Sequence, residues 1–214
     1  MNTTFYWNAE KTPAIINSAL KTLSSRYPQL KGCCGDVELV FEQNFDVSVC
    51  SVKKNGNQYV ISSGKANMAL RMVGTLMAGL LPEKEDYCPF NMFGVMIDCS
   101  RNSVMTVSYM KSYLERLAIL GYNMVMIYTE ETYKIADEPF FGLMRGAYTE
   151  QEIKELDDYA SSLGIELIPC IQTLAHLEQM FRWAKFNEIN DCNGILLVDE
   201  PKTYELIEKM IASW

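Results

Sequence analysis

GVMIDCSRN (residues 94–102), MVMIYTEET (124–132) and IELIPCIQT (165–173) decide the fold of this chain. Each opens on a continuous apolar run and closes on polar residues: Asp98, Ser100 and Arg101 after the first, Thr129, Glu130 and Glu131 after the second, Gln172 and Thr173 after the third. Apolar runs without polar alternation are strands buried on both faces, the mark of a parallel sheet. Helical stretches separate them. Val107 to Leu120 carries Leu114, Leu117 and Ala118 on one face and ends at Gly121. Thr149 and Glu152 make a capping box for a helix through Leu163, which Gly164 stops. In such βα arrays the polar groups just past the strands' C-terminal ends form the site. A complete (β/α)8 barrel takes about 250 residues. The segment after residue 90 has room for only three or four units, either as an open sheet or as the first part of a barrel.

Upstream the rhythm changes. Pro13 opens a helix through about Arg26, with Ile15, Ile16, Leu20 and Leu23 spaced for one face. Val37 to Phe41, Val47 to Val52 and Tyr59 to Ser62 are strand-like, and Asn55-Gly56 predicts a tight hairpin turn between the last two. Ser63-Gly64 breaks the chain, and Asn67 to Leu81 is a helix rich in Met and Leu, its methionines filling a core. Pro82 to Asp86 is a charged linker. We therefore expect a small α/β domain over 1–88 and an α/β segment over 89–214. No Gly-rich phosphate loop joins a strand to a helix, so a nucleotide-binding domain has no support.

Composition narrows the function. Among 214 residues, 27 Asp+Glu stand against 19 Lys+Arg, a formal charge of −8. Such a chain repels phosphate backbones and anionic lipid, so neither nucleic acid nor a membrane surface is an expected partner. No apolar run approaches the ~20 residues of a membrane span. The start, MNTTFYWNAEK, lacks the basic and apolar regions of a signal peptide, which points to the cytoplasm or to an export signal lost from this sequence. The seven cysteines include no CxxC pair, and there is one histidine. The cysteines are expected to be reduced, small hydrophobes, with no metal site and no cofactor.

With these residues in view a resemblance emerges. GVMIDCSRN (94–102), GYNMVMIYTEETY (121–133) and YTEQEIKELDDYASSLGIELIPCIQTLAHL (148–177), in this order and spacing, resemble the opening of the catalytic barrel of glycoside hydrolase family 20, the exo-β-N-acetylhexosaminidases. The upstream segment, with NMALR (67–71), resembles the small non-catalytic domain preceding that barrel. The resemblance implies a small α+β domain followed by a partial (β/α)8 (TIM) barrel of about three βα units. It implies a full-length enzyme that removes terminal N-acetylglucosamine or N-acetylgalactosamine by substrate-assisted, retaining hydrolysis, an exception to the two-carboxylate scheme. The family's catalytic Asp-Glu pair, at the end of the fourth strand, is expected beyond Trp214.

Residue by residue, the resemblance makes Arg101 the arginine that grips the sugar's hydroxyls, with Asp98 as its anchor or a substrate contact. His176 matches a third-strand histidine that links the catalytic acid to a carboxylate at the end of the second strand, here Glu131, with Glu130 as its neighbour and runner-up. Arg145 and Tyr148 either line a sugar-binding mouth or belong to a solvated loop. Trp183 is either an aromatic platform or a core residue. Asp199-Glu200, just before Pro201, is expected at a helix start, where carboxylates favour the dipole, rather than in catalysis. The implied partner is an N-acetylhexosamine-terminated glycan, and the open barrel edge implies a homo-oligomer. A non-catalytic carbohydrate-binding or interaction module derived from the same fold is the alternative.

Overall fold

The computed structural model describes residues 3–82 and 84–214. Met1 and Asn2 of the N-terminal stretch and Glu83 of the charged linker lie outside them. The chain gathers into two compact units, one of Met1–Val95, Lys111–Met124 and Asp158–Glu166, the other of Met96–Met110, Val125–Asp157 and Leu167–Trp214.

The first unit holds a five-stranded sheet. Its strands are β1 (Phe5–Trp7), β2 (Val37–Gln43), β3 (Val49–Asn55), β4 (Gln58–Ser63) and β5 (Asp86–Tyr87), in the order β1-β2-β4-β3-β5. The hairpin forms as its turn requires: β3 and β4 pair antiparallel with Asn55 opposite Gln58, and Gly56 takes φ +57°. Helix α1 (Ala14–Ser24) follows Pro13 and buries Ile16, Ala19, Leu20 and Leu23. Helix α2 (Ala66–Met77) buries Met68, Leu70, Met72 and Val73. It stops short of the expected Leu81 because Gly79, at φ +77°, closes its end with a bond from its amide to the Leu76 carbonyl. The linker expectation also needs correction. Asp86 belongs to β5, paired with Cys50 of β3.

Helix α3 (Val107–Leu120) contributes its later turns to this unit. Gly74 of α2 lies so close to it that a Cβ there would fall 2.3 Å from the Ile119 carbonyl oxygen. The buried Asn67 amide donates to the Gly121 carbonyl at 2.7 Å. Glu115 is buried between Arg26, 3.2 Å away, and the Tyr159 hydroxyl, which donates to it at 2.6 Å.

The three decisive runs form a second sheet: β6 (Gly94–Asp98), β7 (Met124–Thr129) and β8 (Glu166–Ile171), in the order β6-β7-β8. Its pairs run parallel. The Asn123 amide bonds to Phe93 at one end and the Cys99 amide to Tyr128 at the other, while the Glu166 amide bonds to Asn123 and that of Gln172 to Thr129. Among the described residues this sheet is open; no closed barrel forms. The even-numbered residues of β8 face β7, so Pro169 faces the outer edge and leaves its centre without an N–H.

Helix α4 (Glu150–Ser162) starts on the capping box, with the Thr149 amide 2.8 Å from the Glu152 carboxylate and the Glu152 amide 3.2 Å from the Thr149 hydroxyl. Helix α5 (Pro201–Ala212) is capped by Glu200, whose carboxylate accepts from the Lys202 amide. Glu200 thus takes the helix-start role expected of the pair, while Asp199 precedes it at φ +68°. The cysteines divide. Cys50 and Cys99 are fully buried, as small hydrophobes should be, but Cys33, Cys34 and Cys192 are exposed on turns.

Candidate functional site

The site residues lie in the second unit, where β6 and β7 end. At the end of β6, Asp98 turns the chain back on itself: one carboxylate oxygen accepts from the amides of Ser100 (2.9 Å) and Arg101 (3.1 Å), and the other from Arg101 Nε at 2.6 Å. Burial works to raise the Asp98 pKa, but these amides and the guanidinium together hold it below the usual carboxylate range. Asp98 is therefore the anchor of Arg101. The Arg101 side chain remains 61% exposed, and its Cζ lies 4.9 Å from the centre of the Tyr128 ring, a cation–π arrangement that sets its direction.

Tyr128, from β7, links this cation to the next carboxylate. Its hydroxyl donates to Glu130 Oε1 at 3.1 Å, and its pKa is pushed up to about 12 by burial and by Glu130. Glu130 is buried, its amide held by the Ser100 hydroxyl at 2.6 Å. That hydroxyl also lies 3.2 Å from Thr132 Oγ1, tying the ends of β6 and β7 together. Burial, aided by Glu131 and Glu178 and opposed by the Tyr128 hydrogen bond, raises the Glu130 pKa.

A carboxyl that holds its proton more tightly when folded stabilises the fold at low pH, and that contribution is lost as pH rises through the unfolded and then the folded pKa. Glu130→Gln keeps an acceptor for Tyr128 without the charge. It should raise the melting temperature at pH 7 and leave it unchanged below about pH 3, where Glu130 is protonated folded and unfolded. Thermal unfolding at the two pH values measures this; an equal shift at both would show that charge is not the cause.

Glu131 is the more deeply enclosed carboxylate, 1% exposed. Arg145 Nε donates to its Oε1, and a terminal nitrogen of Arg145 reaches the Ser100 carbonyl at 2.7 Å. Oε2 of Glu131 has no hydrogen-bond partner. Arg145 reaches in because its long loop closes on itself. Tyr133 and Tyr148 form a bridge, with the Tyr148 amide on the Thr132 carbonyl (3.0 Å) and the Lys134 amide on that of Tyr148 (2.8 Å). The Tyr148 ring is buried and its hydroxyl donates to the Met105 carbonyl at 2.5 Å. The Arg145 side chain is thus turned inward from a loop whose neighbouring Met144 is exposed, and Tyr148 is buried at the loop's end.

The structure thus brings Asp98, Arg101, Glu130 and Glu131 to two neighbouring strand ends. His176 is exposed, at φ +63°, and no hydrogen bond or ion pair joins it to another described residue. Trp183 is half-buried against Phe140, with ring centres 5.4 Å apart. Tyr128 escapes a sequence reading, its one signal being its place at a strand end; Ser100 is legible as a strand-end polar residue and Arg145 as a loop candidate, but not their hydrogen bonds to Glu130 and Glu131. The two largest cavities described, about 500 and 610 Å³, lie along the long loop and the start of α3, and none of Asp98, Arg101, Glu130, Glu131 or His176 lines them. Among the described residues no group of three or more His, Cys, Asp and Glu is placed to hold a metal ion.

No family model matches the chain, and no curated protein is found to be similar. Solved structures do match. The chain is similar to the family 20 exo-β-N-acetylglucosaminidase from Vibrio harveyi in complex with N-acetylglucosamine (TM-score 0.73, 17% identity, covering 99% of this chain and 41% of that one). It is also similar to the N-acetyl-β-hexosaminidase of Streptomyces plicatus (TM-score 0.74, 18% identity, 99% and 52%). A third similar structure is the chitobiase of Flavobacterium johnsoniae (TM-score 0.70, 19% identity, 99% and 39%). The chain spans only 39% to 52% of the length of these proteins. The resemblance to glycoside hydrolase family 20 drawn from the motifs is matched, at the level of the fold, over the whole chain.

Proposed function

We propose that this chain forms the N-terminal part of a family-20-like β-N-acetylhexosaminidase, and that its strand-end residues bind the terminal sugar of an N-acetylhexosamine-bearing glycan. The observation that carries this reading is Arg101: an exposed guanidinium, fixed from behind by Asp98 and from the side by Tyr128. Its planar set of donors suits a pair of vicinal hydroxyls, and its preset geometry lowers the ordering cost of binding them. Glu130 and Glu131 supply negative charge and shape behind it. In the complete enzyme, substrate-assisted retaining hydrolysis would need the acid and the acetamido-orienting aspartate that we assign to neither Asp199 nor Glu200. Glu131 would support that acid, and His176 would join it by turning its exposed ring inward.

The test is a titration of the 214-residue chain with N-acetylglucosamine, followed by NMR. Amide shifts should map to residues 98–101 and 128–131, and Arg101→Ala should weaken binding by about tenfold or more. A chromogenic N-acetylglucosaminide should show no turnover above background. Unchanged binding by Arg101→Ala would remove the basis of the reading.

A further inference from the structure

Outside the sugar site, in the first unit, the sequence GCCG (32–35) places two thiols side by side. Cys33 and Cys34 are both exposed and free, and their sulfurs lie 3.9 Å apart. The turn that carries them is fastened at both ends to β1. On one side the Gly32 carbonyl accepts from the Trp7 amide at 3.1 Å, with Gly32 at φ +74°. On the other, the Asp36 amide bonds to the Thr4 carbonyl at 3.0 Å, and the Asp36 carboxylate accepts from the Thr4 amide at 2.9 Å and the Thr4 hydroxyl at 2.8 Å. Gly35 is pressed so close to β1 that a Cβ would lie 3.2 Å from the Thr4 and Phe5 backbone. Gly32 is favoured by its left-handed backbone and Gly35 by this close approach, and the thiol pair projects from a fastened support.

Two kinds of chemistry compete at such a pair. A disulfide brings its sulfurs to about 2.05 Å and usually spans Cα atoms about 4.4–6.8 Å apart. Residues joined by one trans peptide hold their Cα atoms at about 3.8 Å, so oxidation to a ring is strained. Chelation asks for no such contraction. Two sulfurs bonded at about 2.3 Å to one centre sit about 3.3 to 3.8 Å apart for bond angles between about 90° and 109°, a far smaller contraction from the spacing found. Only two sulfurs are on offer, however, and no third metal-ligating side chain completes a group with them among the described residues. The acceptor must therefore bring its remaining ligand.

We propose that Cys33 and Cys34 form a vicinal dithiol site that captures a thiophilic acceptor carrying its own third ligand, of the class of monosubstituted trivalent arsenicals. The chemistry balances without an oxidant. Two As–S bonds form, two S–H bonds and the As–O bonds break, and the oxygen leaves as water with both thiol protons; arsenic stays trivalent. The Cys33 sulfur, by hydrogen bond and charge, holds the Cys34 thiol above its usual pKa, so capture should quicken as pH rises and more thiolate forms.

The probe is phenylarsine oxide added to the full chain, read by intact mass and by competition titration. We expect one adduct per chain that survives excess 2-mercaptoethanol and is released by the dithiol 2,3-dimercaptopropanol. Cys33→Ser and Cys34→Ser should each weaken capture by about a hundredfold or more, the loss of the second, intramolecular bond. Cys192→Ser, which removes another exposed thiol, should leave it unchanged. An adduct displaced by the monothiol, or retained in both Cys33→Ser and Cys34→Ser, would overturn the assignment. This outcome is independent of whether the other unit binds sugar.

Discussion

Arg145→Ala should lower the unfolding free energy by about 3 kcal/mol or more, the cost of stranding a buried charge. The substitution leaves the Glu131 carboxylate in place at 1% exposure with its one strong partner gone, and its second oxygen already has none. It also removes the donor to the Ser100 carbonyl. The size comes from the asymmetry between breaking a buried pair and deleting it. The double variant Arg145→Ala, Glu131→Leu should therefore recover a substantial part of the loss. Urea unfolding of the parent, both single variants and the double variant gives the complete cycle. A loss below about 1 kcal/mol for Arg145→Ala, the range of exposed ion pairs, would mean that the clamp on the ends of β6 and β7 is slack. A fall in sugar binding accompanying a large loss would connect this clamp to the presentation of Arg101.

The second large effect runs against helix propensity. Gly74 sits inside α2, where Ala is ordinarily better by roughly 1 kcal/mol. Here the added methyl would meet the Ile119 carbonyl oxygen at 2.3 Å and the Ile119 carbonyl carbon at 3.2 Å. That neighbour is backbone, and α3 would have to move to make room. Gly74→Ala should therefore destabilise by about 1–2 kcal/mol, overpacking near the top of its usual range of about 1–3 kcal/mol less the helix gain of roughly 1 kcal/mol. An unchanged or raised melting temperature would show that α2 and α3 part without cost. Met68, Met72 and Val73 are buried along the same helix, so such a separation would open a core, which is why we expect the loss.

The elements legible in the sequence are those whose signal is local. β6, β7 and β8 follow from unbroken apolar runs, α4 from its capping box, and the β3–β4 turn from Asn55-Gly56. β1 and β5 do not, because three and two residues carry no periodicity. The pairing of β2 with β4 rather than β3 is a choice of topology that no single segment records. At the site, Asp98 and Arg101 are legible because a strand-end Asp followed closely by Arg closes its own turn. The partner of Glu131 is not. Fourteen positions separate Arg145 from it, and the two meet only because Tyr133 pairs with Tyr148. A charged residue in a loop with Gly142 and Gly146 gives no local sign of burial. His176 is the converse case: its left-handed backbone and exposure arise from the path of the chain after β8, which composition does not encode.

Pro169 has a bearing on assembly. A ribbon arriving along the free side of β8, whether from elsewhere in a longer polypeptide or from another molecule, finds one rung missing halfway along the ladder, and its own carbonyl there needs a water molecule or a side chain to answer it. End-to-end growth by identical units would repeat that defect at every junction. The geometry favours a single, tailored closure over open-ended stacking.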